Sequence, residues 1–291
     1  MSSELNYDVF VSPLAPVHDA NLPNGAAPHW SPLAHTLVYG PRTAVVDPPI
    51  TRGQAAALGD WIAAHDRELT YIYVTHWHGD HWFGATELLR RFPRATVLAS
   101  RLTSQRMRAS VPDGAVPPLW TGLFPGQLDD GAAIAATAVA VEEVPADGFE
   151  VDGHRLVSIE AGHSDTDDST ILHVPSLGLV AAGDVVYDNV HQYLAETPGG
   201  GFEAWHRALD LVASLAPRHV VAGHKDARRP DAASNIDETH RYLDATAALL
   251  DAKPARREFF ARVLELYPER VNPYTVWLNA RRLIAEDEEA G

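Results

Sequence analysis

The residues best equipped for chemistry lie between Thr75 and His81, where the order is Thr-His-Trp-His-Gly-Asp-His. Imidazole nitrogens and carboxylate oxygens are the usual donors for zinc and similar divalent ions. His76 and His78, one residue apart on an extended or turning backbone, can point at one centre. Asp80 and His81 lie further round the turn and can face a second. Gly79 supplies the backbone freedom that a tight ligand loop needs. The run Leu69 to Val74 just before them is rich in β-branched and aromatic residues and reads as a buried strand. Its end delivers four candidate ligands at once.

The motif Thr75–His81 resembles the signature of the metallo-β-lactamase superfamily of hydrolases. That family carries ligand-bearing loops in a fixed order, and this chain has a candidate for each: Asp47 in Val-Val-Asp-Pro, the His cluster, His163 in Ala-Gly-His-Ser, Asp184 in Ala-Ala-Gly-Asp and His224 in Ala-Gly-His-Lys. Each sits at or near the end of an apolar stretch, and the likeness runs from about Tyr39 to Lys225. The resemblance implies an α/β fold, a four-layer αββα sandwich with a helical C-terminal extension. It implies that His76, His78 and His163 hold one metal, that Asp80, His81 and His224 hold a second, and that Asp184 bridges them. Asp47 would support the loop by hydrogen bonds. The implied cofactor is two divalent ions, zinc first, with manganese, iron or cobalt as alternatives.

The chemistry that follows is hydrolysis by a metal-bound hydroxide, because a divalent ion lowers the pKa of bound water from 15.7 to about 7. No Ser or Cys nucleophile is required. Asp80 is a candidate for returning a proton to the leaving group. Tyr187 lies three residues beyond Asp184, where some lactonases of the superfamily place a tyrosine that reaches the substrate carbonyl. The other reading is an amphipathic tyrosine at the pocket rim. His191 is a further candidate for substrate contact.

Three details narrow the class. The second histidine of the motif is His78 and not a glutamate, which argues against the flavodiiron variant. Asp184 offers a bridging carboxylate that true metallo-β-lactamases generally lack. The chain has no Cys, so the thiolate ligand of their commonest subclass is absent. The expected substrate is a small carboxylic ester or lactone. The alternatives are a glyoxalase II-like thioester, persulfide oxidation at a single iron, a β-lactam, or a metal-binding scaffold without catalysis. Trp77, Trp82, Phe83, Trp120 and Phe124 are candidates for an apolar pocket wall, with core packing as the competing reading. Lys225 is an isolated cation near the motif set, and the absence of a basic cluster disfavours a glutathione thioester. Asp165, Asp167 and Asp168 read as an acidic surface turn, with orientation of the His163 ring as the alternative.

Composition bounds the rest. The net charge of −16 over 291 residues disfavours a nucleic-acid partner. No apolar run is long enough to span a bilayer. The first residues show neither a basic nor an apolar leader segment, so a cytoplasmic location is the expectation. The partner expected is a small-molecule substrate.

Around these residues the pattern is strands first, then alternation. Tyr7 to Ser12 is a short strand, and Leu33 to Tyr39 with Thr43 to Val46 form a hairpin. Gln54 to His65, Ala85 to Phe92 and Leu102 to Ala109 read as helices, and Ala95 to Ala99 as a strand. Residues 110–131, rich in Pro and Gly, read as a loop that either covers the site or packs on the body. Ala132 to Val141 is ambiguous. Two hairpins follow, Phe149 to Val151 with Arg155 to Glu160, and Thr170 to Val174 with Leu177 to Ala182. Phe202 to Leu215 is an amphipathic helix and His219 to Ala222 the last strand. The expected division is a catalytic domain over 1–230 and a helical extension over 231–291. That extension packs on the same body, shapes the pocket or makes a homodimer contact, and ends in an acidic tail from Glu286 to Gly291.

Overall fold

A computed structural model describes residues 4–285; the acidic tail lies outside them. Two sheets face each other. The first runs β1 (Asn6–Ser12), β4 (Leu33–Tyr39), β5 (Arg42–Val46), β6 (Glu68–Val74), β7 (Thr96–Ala99) and β8 (Glu142–Glu143) in spatial order. The second runs β13 (His219–Val221), β12 (Leu179–Ala181), β11 (Ser169–Val174), β10 (His154–Gly162) and β9 (Phe149–Val151). A small ribbon joins β2 (Ala15–Pro16) to β3 (His29–Trp30).

Strand alternation explains the layering. Ala34, Val38, Ala44, Val46 and Tyr73 turn toward the second sheet and meet Leu156, Leu172, Val174, Leu179 and Val221. Their neighbours Leu37, Val45, Ile72 and Val74 point the other way, into helices. Strands buried on both faces read as near-continuous apolar runs, which is why they were visible in the sequence. The outer helices of the first sheet include α1 (Arg52–Ala64), α2 (Ala85–Arg91), α3 (Arg101–Ser110), α4 (Pro118–Leu123) and α5 (Gly131–Ala140). The second sheet is covered by α6 (Gly201–Ser214), with α7 (Ser234–Asp251), α8 (Arg256–Leu266) and α9 (Pro273–Leu283) beyond it. The architecture is therefore αββα with added C-terminal helices.

Parallel pairs require crossovers. α1 joins β5 to its parallel neighbour β6, and α6 joins β12 to its parallel neighbour β13. As a result the C-terminal ends of β5, β6, β10, β12 and β13 all open on one edge. The two sheets are stitched there: Thr170 donates from both its backbone N and its hydroxyl to the Thr75 carbonyl, and Ala34 N donates to the Gly223 carbonyl.

The segment 110–131 is not a plain loop. Pro117 and Pro118 begin a short helix, because proline is well suited to a first helical turn. Trp120, Leu123 and Phe124 are buried by it, whereas Leu119 is 54% exposed. The Ala-rich stretch is helix α5, started by Asp130, whose side chain accepts from Ala133 N at 3.3 Å. α7 to α9 share the main core through Tyr242, Phe259, Val263 and Tyr274. They are fastened to residues 190–194: Asn279 donates to the Gln192 carbonyl and accepts from Leu194 N, both at 2.8 Å, and buried Arg270 donates to the Val190 carbonyl at 2.7 Å. Among the described residues no helix is long and apolar enough to cross a membrane.

Candidate active site

The loop after β6 is anchored by Asp47 at the end of β5. Its carboxylate accepts from Thr75 N at 2.8 Å, from Thr75 Oγ1 at 2.7 Å and from His81 Nδ1 at 3.0 Å. These bonds hold the backbone of Thr75 and the ring of His81 together. Gly79 is needed for a reason other than backbone freedom. Its φ is not in the left-handed region, but a Cβ there would lie 2.7 Å from the Phe83 ring and 2.9 Å from Trp120 Nε1.

Three sets of donor atoms converge at this edge. His76, His78 and Asp165 place one ligand atom each within 4.8 Å of one another; so do His76, His81 and Asp184, and so do Asp80, His81 and His224. His81 Nε2 is 3.4 Å from Asp184 Oδ1 and 3.8 Å from Asp80 Oδ2. His224 Nε2 is 3.3 Å from Asp184 Oδ2 and 3.5 Å from Asp80 Oδ2. Asp184 thus faces histidines of both neighbouring sets.

Each imidazole in these sets has its other nitrogen occupied. His76 Nδ1 meets Thr75 Oγ1 at 3.0 Å, His78 Nε2 meets Glu196 Oε1 at 3.1 Å, and His224 Nδ1 donates to the Pro32 carbonyl at 3.0 Å. Outer partners of this kind fix which nitrogen points inward. Inside, by contrast, His76 Nε2, His81 Nε2, Asp165 Oδ2 and Asp184 Oδ1 are buried with no hydrogen-bond partner. Native proteins rarely leave buried polar atoms unpaired, since each costs about 1–3 kcal/mol. Divalent cations that accept nitrogen and oxygen donors would satisfy these atoms in the sets that hold them, so the residues present fit such ions; His163 Nε2, outside the sets, is buried and unpartnered as well.

Electrostatics points the same way. Burial alone pushes His78 down, but Asp165 and then Glu196 outweigh it and raise the ring to about 10. Burial likewise opposes His224, and Asp184 and Asp80 raise it to about 10. His81 is driven well above its ordinary value against burial, by Asp184, Asp80 and Asp47. His76 is pushed well below by burial and by the nearby rings of His81 and His78. Asp184 stays ionised well below the usual range: burial resists this, and His224 and His81 prevail. Without a metal, protons balance the buried carboxylates, so metal uptake must displace protons.

Several expected residues lie elsewhere in the site, or outside it. His163 is not in any of the three sets. Its Nδ1 is held by Asp167 Oδ1 at 2.7 Å, and a Cβ on Gly201 would lie 2.7 Å from its Nε2. Asp165, read as part of an acidic surface turn, is 1% exposed and takes a place beside His76 and His78; Asp167 does line the surface. Tyr187 is 1% exposed, and its hydroxyl donates to Asp184 Oδ2 at 2.6 Å. A phenol so buried has its hydroxyl committed to Asp184. His191 has no exposed surface and meets Tyr242 Oη at 3.1 Å, which makes it a packing residue. Trp82, Phe83 and Phe124 are core, and Trp120 is nearly so. Trp77 stays half-buried and donates to Thr166 Oγ1 at 3.1 Å. Lys225 is buried and consumed by Asp231, Asp188 and the Arg229 carbonyl, leaving it no role toward a substrate anion.

Two more residues join the site: Trp30, whose Pro- and Gly-rich stretch reads as a surface loop with His29 and Trp30 as candidates for a pocket border, and Glu196, which no local pattern marks. Trp30, in the Pro- and Gly-rich stretch, donates its indole N–H to Asp80 Oδ2 at 2.8 Å. Glu196 holds His78 on one oxygen and accepts from Thr166 Oγ1 at 2.6 Å on the other. Both are separated from the motif by long stretches of chain, and only the folded edge brings them close.

Comparison with known proteins agrees with this geometry. A family model described as "Metallo-beta-lactamase superfamily" matches residues 36–224. A hydroxyacylglutathione hydrolase of Synechococcus sp. (strain CC9902) is 39% identical over 69 residues, 24% of this chain and 25% of that protein. The chain thus spans about a quarter of the length of the curated hydrolases of that name that it matches. A metallo-beta-lactamase type 2 of Bacteroides fragilis is 22% identical over 222 residues, 72% of this chain and 76% of that one. In fold, a metallo-beta-lactamase from Pontibacter korlensis superposes with a TM-score of 0.55 at 19% identity, covering 81% of this chain and 99% of the other.

Proposed function

Since the chain belongs to the metallo-beta-lactamase superfamily, we propose that it is a metal-dependent hydrolase of small carboxylic esters or lactones. The observation that carries this reading is the convergence of buried, unpaired donor atoms whose outer partners are all engaged. His76 and His78 on one side, and Asp80, His81 and His224 on the other, would hold two divalent ions, zinc first, with Asp184 between them. Bound there, such ions supply a water of lowered pKa and a Lewis acid for the carbonyl oxygen.

The chain's own residues do the rest. Asp47, Thr75, Glu196 and the Pro32 carbonyl fix the rings before any ion arrives, so little reorganisation is needed. Asp80, held by Trp30 and kept ionised against burial by His81 and His224, is the carboxylate suited to take a proton from the attacking water and relay it to the leaving oxygen. Trp30, Trp77 and Tyr193 are only partly buried and give the site an aromatic border suited to an acyl or ring substrate. The short likeness to hydroxyacylglutathione hydrolases favours a thioester as the second reading.

The test is a panel of aryl esters, lactones, thioesters and β-lactams, assayed with metal-loaded protein. The expected result is ester or lactone turnover with kcat/KM at least ~10-fold above the thioesters, about 1.4 kcal/mol in barrier. It should vanish on chelation and return with zinc. Turnover of thioesters alone replaces the ester reading. Oxygen consumption with about one iron per chain replaces hydrolysis altogether.

A further inference from the structure

The sequence order places His163 where the superfamily's third histidine stands, yet the folded loop turns that ring away. From this loop we infer that Asp165, and not His163, is the third protein donor beside His76 and His78. The inference rests on the metal-dependent reading above.

Asp165 Oδ2 is 2.8 Å from His78 Nδ1 and 3.5 Å from His76 Nε2. It is buried, and at that distance it still makes no aligned hydrogen bond. The carboxylate and the imidazoles face a common point between them more than they face one another. The other oxygen, Oδ1, accepts from Ser164 Oγ at 3.1 Å, so one side of the carboxylate is anchored and the other is left to donate electrons inward.

The loop that carries Asp165 is tied to itself. Ser164 N donates to the Thr166 carbonyl at 3.0 Å, Ser164 Oγ to Ser169 Oγ at 2.8 Å, and Ser169 Oγ to the Thr166 carbonyl at 3.1 Å. His163 sits at the rim of this knot with its Nδ1 on Asp167; its Nε2 is buried and unpartnered like Asp165 Oδ2, but it lies over Gly201 and in none of the converging sets. Any side chain at position 201 would meet that nitrogen, so the absence of one makes room for the outward ring.

The donor set beside His76 is therefore two imidazoles and a carboxylate. It carries one more negative charge than three imidazoles would, and a harder donor. Such a set is less biased toward zinc over manganese or iron than an all-imidazole set.

Two measurements on the full chain test this. The first uses wild type loaded with cadmium-113 and reads scalar coupling from the metal to imidazole protons. Coupling to His76, His78, His81 and His224 but not to His163 is the expected result; coupling to His163 overturns the inference. The second counts bound metal by elemental analysis after dialysis. His163→Ala is expected to keep about two ions per chain, like wild type, and Asp165→Ala about one. Loss of an ion in His163→Ala overturns the inference whatever the other variant does. If Asp165→Ala fails to fold, the cadmium spectrum of the wild type decides alone. A wild type that retains no metal at all sinks the hydrolase reading, and the inference with it, and is told apart by that absence.

Discussion

The hydroxyl of Tyr187 lies 2.6 Å from Oδ2 of Asp184, with both side chains buried. Burial, and then Asp184 itself, hold the phenol well above its ordinary pKa, so it stays a donor. Tyr187→Phe removes that donor from a buried carboxylate. Metal affinity should fall about 10–100-fold, as is usual for outer partners of ligands. KM for substrate should hardly move once metal is saturating. A large KM increase with unchanged metal affinity would return Tyr187 to the role of a substrate contact.

Asp47→Ala takes three hydrogen bonds from the ligand loop at once. It leaves the Thr75 amide and His81 Nδ1 without their acceptor. The expected cost is about 2–4 kcal/mol of stability, since unsatisfied buried groups cost about 1–3 kcal/mol each and effects in one network overlap. Urea denaturation of the metal-free protein measures it; a change under about 0.5 kcal/mol would show that the loop holds its shape without Asp47.

Gly79→Ala should be destabilising by about 1–3 kcal/mol, because the added methyl has to displace the Phe83 ring and the Trp120 indole. The fault lies beneath the ligand loop, so metal affinity should drop with stability. If thermal unfolding is unchanged, the loop is looser than its packing implies.

Chelation should lower the melting temperature, and zinc should restore it. An ion that binds only the folded chain stabilises it by about 2.7 kcal/mol at a free concentration 100 times its Kd. Calorimetry with and without chelator reads this directly, and identical traces would contradict the proposed centre.

Acid should weaken the fold through His191. Burial, with a smaller contribution from Arg270, depresses the ring to about 3. The unfolded chain binds that proton near 6.5. Between these values the unfolded state carries more protons, so the contribution is complete above about 6.5 and is lost as pH falls toward 3. The slope is about 1.4 kcal/mol per pH unit. His35, also depressed to about 3 by burial, adds to it. His191→Gln should show a shallower loss of stability between pH 6 and about 4 than wild type; equal slopes would mean that the ring is not held neutral.

The sequence was most legible where both faces of an element are buried. Leu33 to Tyr39, Thr43 to Val46 and Leu69 to Val74 announced themselves as apolar runs, and Asp47 and the His loop at the ends of the last two followed. It was least legible where local type and tertiary role separate. Asp165, Asp167 and Asp168 are chemically alike, and only the knot of Ser164, Thr166 and Ser169 sends the first inward and leaves the second at the surface. Trp82 and Phe83 beside a ligand loop look the same whether they line a cavity or fill a core; here α4 and its Trp120 close over them. Pro117 and Pro118 read as breakers but begin a helix. Trp30 belongs to a two-residue ribbon, and nothing local links it to Asp80.

The converging donors come from both sheets, and the last of them, His224, follows β13. A chain emerging from the ribosome N-terminus first presents His76 and His78 long before that strand exists. Until β13 has docked beside β12, the set of Asp80, His81 and His224 lacks its third donor. A product truncated before His224 would therefore keep the donors His76, His78, Asp165 and Asp184 but lack the one that completes the set with Asp80 and His81.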